Sequence, residues 1–236
     1  MLPWRATLFV FLASPQLTSP QSTCPSIVNT CPSLGLSDCP STAPWYEVND
    51  TSAGTYAHII SSTSCPAEVW TDHCSSNSAC YRLAEYRIPE TPRYLSTPIY
   101  FGTTTGIHEA VGVTLDGIPI WAPLDELDED RPFKEWSTTG ECNGVPSSLG
   151  EYHYNGVPKC LFERTVVSSL EHSPLLGYMF DGFGIYGQLD VYGQFPDDLD
   201  ACNGHVSSLP DGTRRYHYHF TDYLGAASDA TSFDVG

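Results

Sequence analysis

Tyr216-His217-Tyr218-His219 sets two imidazoles two residues apart in a run of strand-forming residues. Alternate side chains of a strand share a face, so His217 and His219 point one way and the two tyrosines the other. Two imidazoles on one stiff strand are half of a tetrahedral or tetragonal metal site. His205 follows a Cys202-Asn203-Gly204 turn from which the chain returns, and it is a candidate third neutral nitrogen. Three His ligands with one open position suit Zn²⁺ or Cu²⁺ and would hold a water. His172 and Asp200 are candidates for an added ligand or for an acceptor that orients a ring. The plain alternative is a polar network in which the rings bond backbone carbonyls while the tyrosines fill the core.

The strand belongs to a longer pattern that occurs twice. Residues 113–121 read V-T-L-D-G-I-P-I-W and residues 178–187 read Y-M-F-D-G-F-G-I-Y-G, both apolar runs folded about an Asp-Gly pair, the signature of a tight hairpin. Each is followed by an acidic loop, by Cys-Asn-Gly at Cys142 or Cys202, by Ser-Ser-Leu, and by an aromatic-histidine strand. The copies are 65 residues apart at the Asp-Gly, 60 at the Cys and 64 at the first Tyr. Four features in one order predict a duplicated β-rich unit, at residues 111–161 and 176–223. Units this small cannot bury their faces alone, so they are expected to pack together. The first copy carries Val145 and Asn155 where the second has His205 and His219, and only His153 stands opposite His217. One site, in the second unit, is therefore expected, with His153 reaching it only across the interface between units.

Other chemistry finds little support. There is no Gly-x-Ser-x-Gly elbow and no Gly-rich phosphate loop, so no nucleotide cofactor is expected. Residues 125–130 hold five carboxylates in six positions, and Asp197, Asp198 and Asp200 form a smaller group; neither has the shape of a calcium loop. Arg214 and Arg215 read as balancing charge beside them. A catalytic role for a metal-bound water would need a base or oxidant that the sequence does not display.

The 236 residues carry 28 acidic against 10 basic side chains, a net charge of −18, which repels nucleic acid and anionic membranes. Residues 1–19 read as a secretory signal, with Arg5 before a short apolar run, and nothing later is apolar enough to insert in a membrane. Residues 20–44, rich in Ser, Thr, Pro and Cys, read as a cross-linked or flexible arm with little core, and residues 45–236 as the β domain. Residues 165–171 are the one stretch with room for two helical turns. Nine cysteines fit an oxidising compartment and leave one unpaired. Cys142 and Cys160 flank the first aromatic-histidine strand and are candidates to bridge across it. Asn49-Asp50-Thr51 is a glycosylation sequon. The expectation is a secreted glycoprotein, all-β, disulfide-braced, in a single domain with a Cys-rich N-terminal arm. Its competing roles are binding one zinc or copper ion, or serving as an extracellular matrix or cell-surface interaction module; a metal-dependent enzyme ranks below both.

Over its last 130 residues or so the chain resembles the YHYH-domain family, through H-S-P-L-L-G-Y-M-F-D-G-F-G-I-Y-G and C-N-G-H followed by Y-H-Y-H. The resemblance implies secretion and a duplicated β-rich domain, and no established reaction. Relatives usually have His at more of the first-copy positions and often a cysteine after the second signature strand. Its absence here implies that Cys202 is the unpaired thiol. Three residues from His205, that thiol would be a soft ligand favouring copper, although plain pairing of Cys142, Cys160 and Cys202 is the simpler reading.

Overall fold

Runs of β-branched and aromatic residues broken by Gly, Pro, Asn and Asp dictate many short strands, because each breaker stops a run before a helix can propagate. The computed structural model describes residues 31–39, 48–53, 56–66, 77–92, 110–122, 142–165 and 171–221. Its strands are β1 (Ser37–Asp38), β2 (Val48–Ala53), β3 (Tyr56–Ser62), β4 (Cys80–Tyr81), β5 (Ala84–Pro89), β6 (Ala110–Thr114), β7 (Pro119–Trp121), β8 (Gly144–Pro146), β9 (Tyr152–Tyr154), β10 (Leu175–Met179), β11 (Gly184–Tyr186), β12 (Gly204–Ser208) and β13 (Arg214–His219). The one α-helix among the described residues is α1 (Lys159–Thr165), where Cys160 is tied to Cys142 and Leu161 and Phe162 are buried. Residues 166–170, most of the stretch expected to make helical turns, lie outside the described residues. The protein is all-β and disulfide-braced.

Eight strands form one sheet in the order β12-β13-β11-β10-β6-β7-β9-β8. Connectivity reads alike from either edge to the centre. There β6 and β10 pair antiparallel, and each makes a hairpin with the strand that follows it. β7 pairs β9 and β11 pairs β13 in parallel, while β8 and β12 close the edges antiparallel. Registers correspond as well: Val145 faces His153 in one half, and His205 faces His217 in the other. The Asp-Gly turns place Gly117 at φ 77° and Gly182 at φ 100°, backbone that L side chains seldom enter. Tyr154 donates its hydroxyl to Asp116 at 3.3 Å and Tyr218 to Asp181 at 2.5 Å. At the central seam a Cβ on Gly177 would meet the Val113 carbonyl oxygen at 2.3 Å, so only glycine lets β10 lie this close to β6.

Residues 31–39, part of the arm expected to be cross-linked or flexible with little core, are cross-linked and stapled into the core. Cys31 is bonded to Cys80 and Cys39 to Cys65, and β1 pairs with β4. Cys39 and Cys65 pack with Ile118, Tyr152 and Tyr154. A three-stranded sheet, β2-β3-β5, lays Ile60 and Ile88 against Val113, beside Tyr178. Leu161 and Phe162 of α1 cover Ile120, Leu176 and Ile185. The expected signal at residues 1–19, the rest of the arm and the acidic run at 125–130 lie outside the described residues. No helix among those described is long and apolar enough to cross a membrane.

Candidate metal centre

β13 presents His217 and His219 on one face, as strand alternation requires, with their Nε2 atoms 3.0 Å apart. His172, just before β10, brings its Nε2 to 3.2 Å from that of His217. The segment after β11 returns over this face and supplies Asp190, whose Oδ1 lies 3.4 Å from His172 Nε2. Two hydrogen bonds lock these segments together: the Ser173 N–H donates to the Leu189 carbonyl at 2.7 Å, and the Leu189 N–H donates to Ser173 Oγ at 2.8 Å. The ligand atoms of His172, Asp190, His217 and His219 all lie within 4.8 Å of one another.

The far side of each ring decides what the near side offers. Nδ1 of His172 lies 2.7 Å from the Ser173 carbonyl, that of His217 3.0 Å from the Arg215 carbonyl, and that of His219 2.6 Å from the Gly187 carbonyl. A carbonyl only accepts, so Nδ1 carries the proton and donates; in the neutral ring Nε2 is then a bare lone pair. Three lone pairs converge. At 3.0–3.2 Å they repel unless a proton or a cation lies between them. Burial resists the proton. It pushes His219 down to about 4 and lowers His172 and His217, effects that the neighbouring rings reinforce and the carbonyl contacts only partly oppose. Burial also opposes charge on Asp190, but the Ser207 hydroxyl, the Val191 N–H and the His205 and His172 rings together hold its carboxyl below the ordinary value. The arrangement is a pocket of neutral nitrogens beside one carboxylate.

His205 faces His217 across β12–β13, with Nδ1 2.6 Å from Asp198 Oδ1 and Nε2 3.7 Å from Asp190 Oδ2. It stands beside the four-residue group, outside its tightest circle. Asp200 is not brought to the cluster. It accepts from the Cys202 and Gly204 N–H groups and from the Tyr216 hydroxyl, holding the turn before β12. Nor is His153, which lies on β9 in the other half of the sheet. There Trp121 stacks on it with ring centroids 3.8 Å apart. Cys202 is free, but burial, with Asp200 and Asp181 nearby, raises its thiol and keeps it protonated, and it takes no part in the group. Cys142 and Cys160 are bonded to each other. Asn49 lies in β2, its backbone paired with Ser61. Asp190 was missed because nothing in its local sequence separates it from Asp197, Asp198 and Asp200; only the return of the chain over β13 selects it.

The model of the YHYH protein family matches residues 85–197. Residues 85–197 are a YHYH-family domain. No curated protein and no solved structure matches the chain. The YHYH segment holds His172 and Asp190 but ends before β12 and β13. The cluster is therefore shared between the YHYH segment and the strands that complete its sheet.

A consequence for the metal-free protein follows from the buried rings. Groups that resist protonation when folded accept it freely when unfolded, near 6.5, so acid favours the unfolded chain. Stability is expected to be fully present above about pH 6.5 and to fall as pH drops toward about 4, the folded value of His219, by on the order of 2 kcal/mol. Urea titrations in chelator across this range check it; a flat profile would contradict the assignment of neutral, buried rings.

Proposed function

We propose that this is a secreted protein that binds one transition-metal ion, zinc or copper, through Nε2 of His172, His217 and His219 and the carboxylate of Asp190. The observation that carries the reading is the set of Nδ1–H contacts to carbonyls, which turns three buried lone pairs toward one another. Separations of 3.0 and 3.2 Å are those of nitrogens on a single ion, since metal–nitrogen bonds of about 2.0–2.1 Å put two ligands roughly 2.9–3.4 Å apart at angles from right to tetrahedral. Imidazole with carboxylate suits zinc and copper and makes a poor calcium site. The three disulfides among the described residues favour an oxidising compartment, where Asn49 on β2 is a candidate glycan acceptor. Elemental analysis of secreted, untagged protein is expected to find about one zinc or copper per chain, and none in His217→Ala/His219→Ala. Equal metal in the two proteins would remove the site, and metal in neither would leave a disulfide-braced interaction module as the better reading.

A further inference from the structure

We infer that His205 is a fifth ligand of this centre, which makes it a site of four imidazoles and one carboxylate that holds copper(II) and leaves no position for substrate. The inference rests on the metal-binding reading above. His205 is 5% exposed, and its Nε2 is buried with no hydrogen-bond partner. Its Nδ1 sits 2.6 Å from Asp198 Oδ1 and donates there, so in the neutral ring Nε2 is the lone pair, the same polarity as in the other three rings. A buried acceptor with nothing to accept from is costly to keep, and a cation is the partner that its surroundings supply room and charge for.

The placement of His205 mirrors that of His172. Its ring centroid lies 4.9 Å from His217 and 5.1 Å from His219, where His172 stands at 5.2 and 5.3 Å. The Asp190 carboxylate divides between them, Oδ1 at 3.4 Å from His172 Nε2 and Oδ2 at 3.7 Å from His205 Nε2. His205 stands outside the 4.8 Å circle of the other four ligand atoms, so it would reach the ion through a longer bond. Four nitrogens and an oxygen with one long bond suit copper(II), for which a longer fifth bond is ordinary. Zinc in a tetrahedral site uses four ligands and would leave one of these five idle. Five protein donors also displace the water that a catalytic metal retains, so the centre stores or carries its ion.

X-ray absorption of the full chain loaded with one equivalent of copper(II) tests this by counting imidazoles. Four are expected in the wild type and three in His205→Gln, with copper affinity lowered at least about tenfold. Three in the wild type, with copper still bound, would overturn the role of His205 while leaving the metal reading intact, and that count stands whether or not the variant folds. A wild type that binds zinc but not copper would overturn the copper assignment and leave the metal reading intact, whereas binding of neither ion overturns both readings. Azide should leave the copper absorption bands unchanged; a new azide-to-copper charge-transfer band would overturn the closed site.

Discussion

Protein supplied with zinc or copper at a hundred times its dissociation constant should be about 2.7 kcal/mol more stable than the same protein in chelator. For a domain of this size that is roughly 5–10 °C in melting temperature. The gain arises because the ligands come from places that only folding assembles: His172 before β10, Asp190 after β11, and His217 and His219 on β13. An unfolded chain offers only the His217/His219 pair, so the ion binds the folded state and stabilises it by mass action. His217→Ala/His219→Ala should show no metal-dependent shift. An interaction module without a metal would melt at one temperature in both conditions. Binding should also weaken as pH falls toward about 4, the folded value of His219, since protonated imidazole cannot ligate. Affinity unchanged between pH 7 and pH 4 would exclude histidine ligation.

Removal of the Cys31–Cys80 bridge as Cys31→Ala/Cys80→Ala should destabilise the protein by about 4 kcal/mol, the entropy released by opening a cross-link that spans 49 residues. A drop of roughly 8–16 °C in melting temperature is the expected reading. Local packing adds to the effect, because both cysteines are fully buried and the Cys80 N–H donates to the Gly150 carbonyl at 2.8 Å, linking the staple to the β8–β9 turn. The histidines sit in the other half of the eight-stranded sheet, so the variant should still take up about one metal per chain at low temperature. A melting temperature within about a degree of wild type would show that residues 31–39 are not held by this bridge. Loss of metal along with stability would show that the two halves fold as one unit.

The hairpins about Asp116-Gly117 and Asp181-Gly182 and the shared face of His217 and His219 were legible without coordinates. Each depends on neighbours in the chain: Asp-Gly accepts the turn, and strand alternation sets the face. The sequence offered His205 as a neighbour of the strand, after the Cys-Asn-Gly turn; its pairing with His217 came from the register of β12 and β13. The docking of residues 31–39 was not legible, since composition reports solvation and cannot say which cysteine a cysteine meets. Asp190 was equally hidden, one of several acids in a loop whose path depends on Ser173, Leu189 and the packing of β11 on β13. What the sequence alone determined was local: which residues are candidates to ligate, which faces His217 and His219 take, and that Val145 and Asn155 stand where the later pattern has His205 and His219. Only the tertiary structure decided which of these candidates meet. A metal site is a meeting of segments far apart in the chain, and the Nδ1–H contacts that aim each ring come from carbonyls placed by the whole sheet.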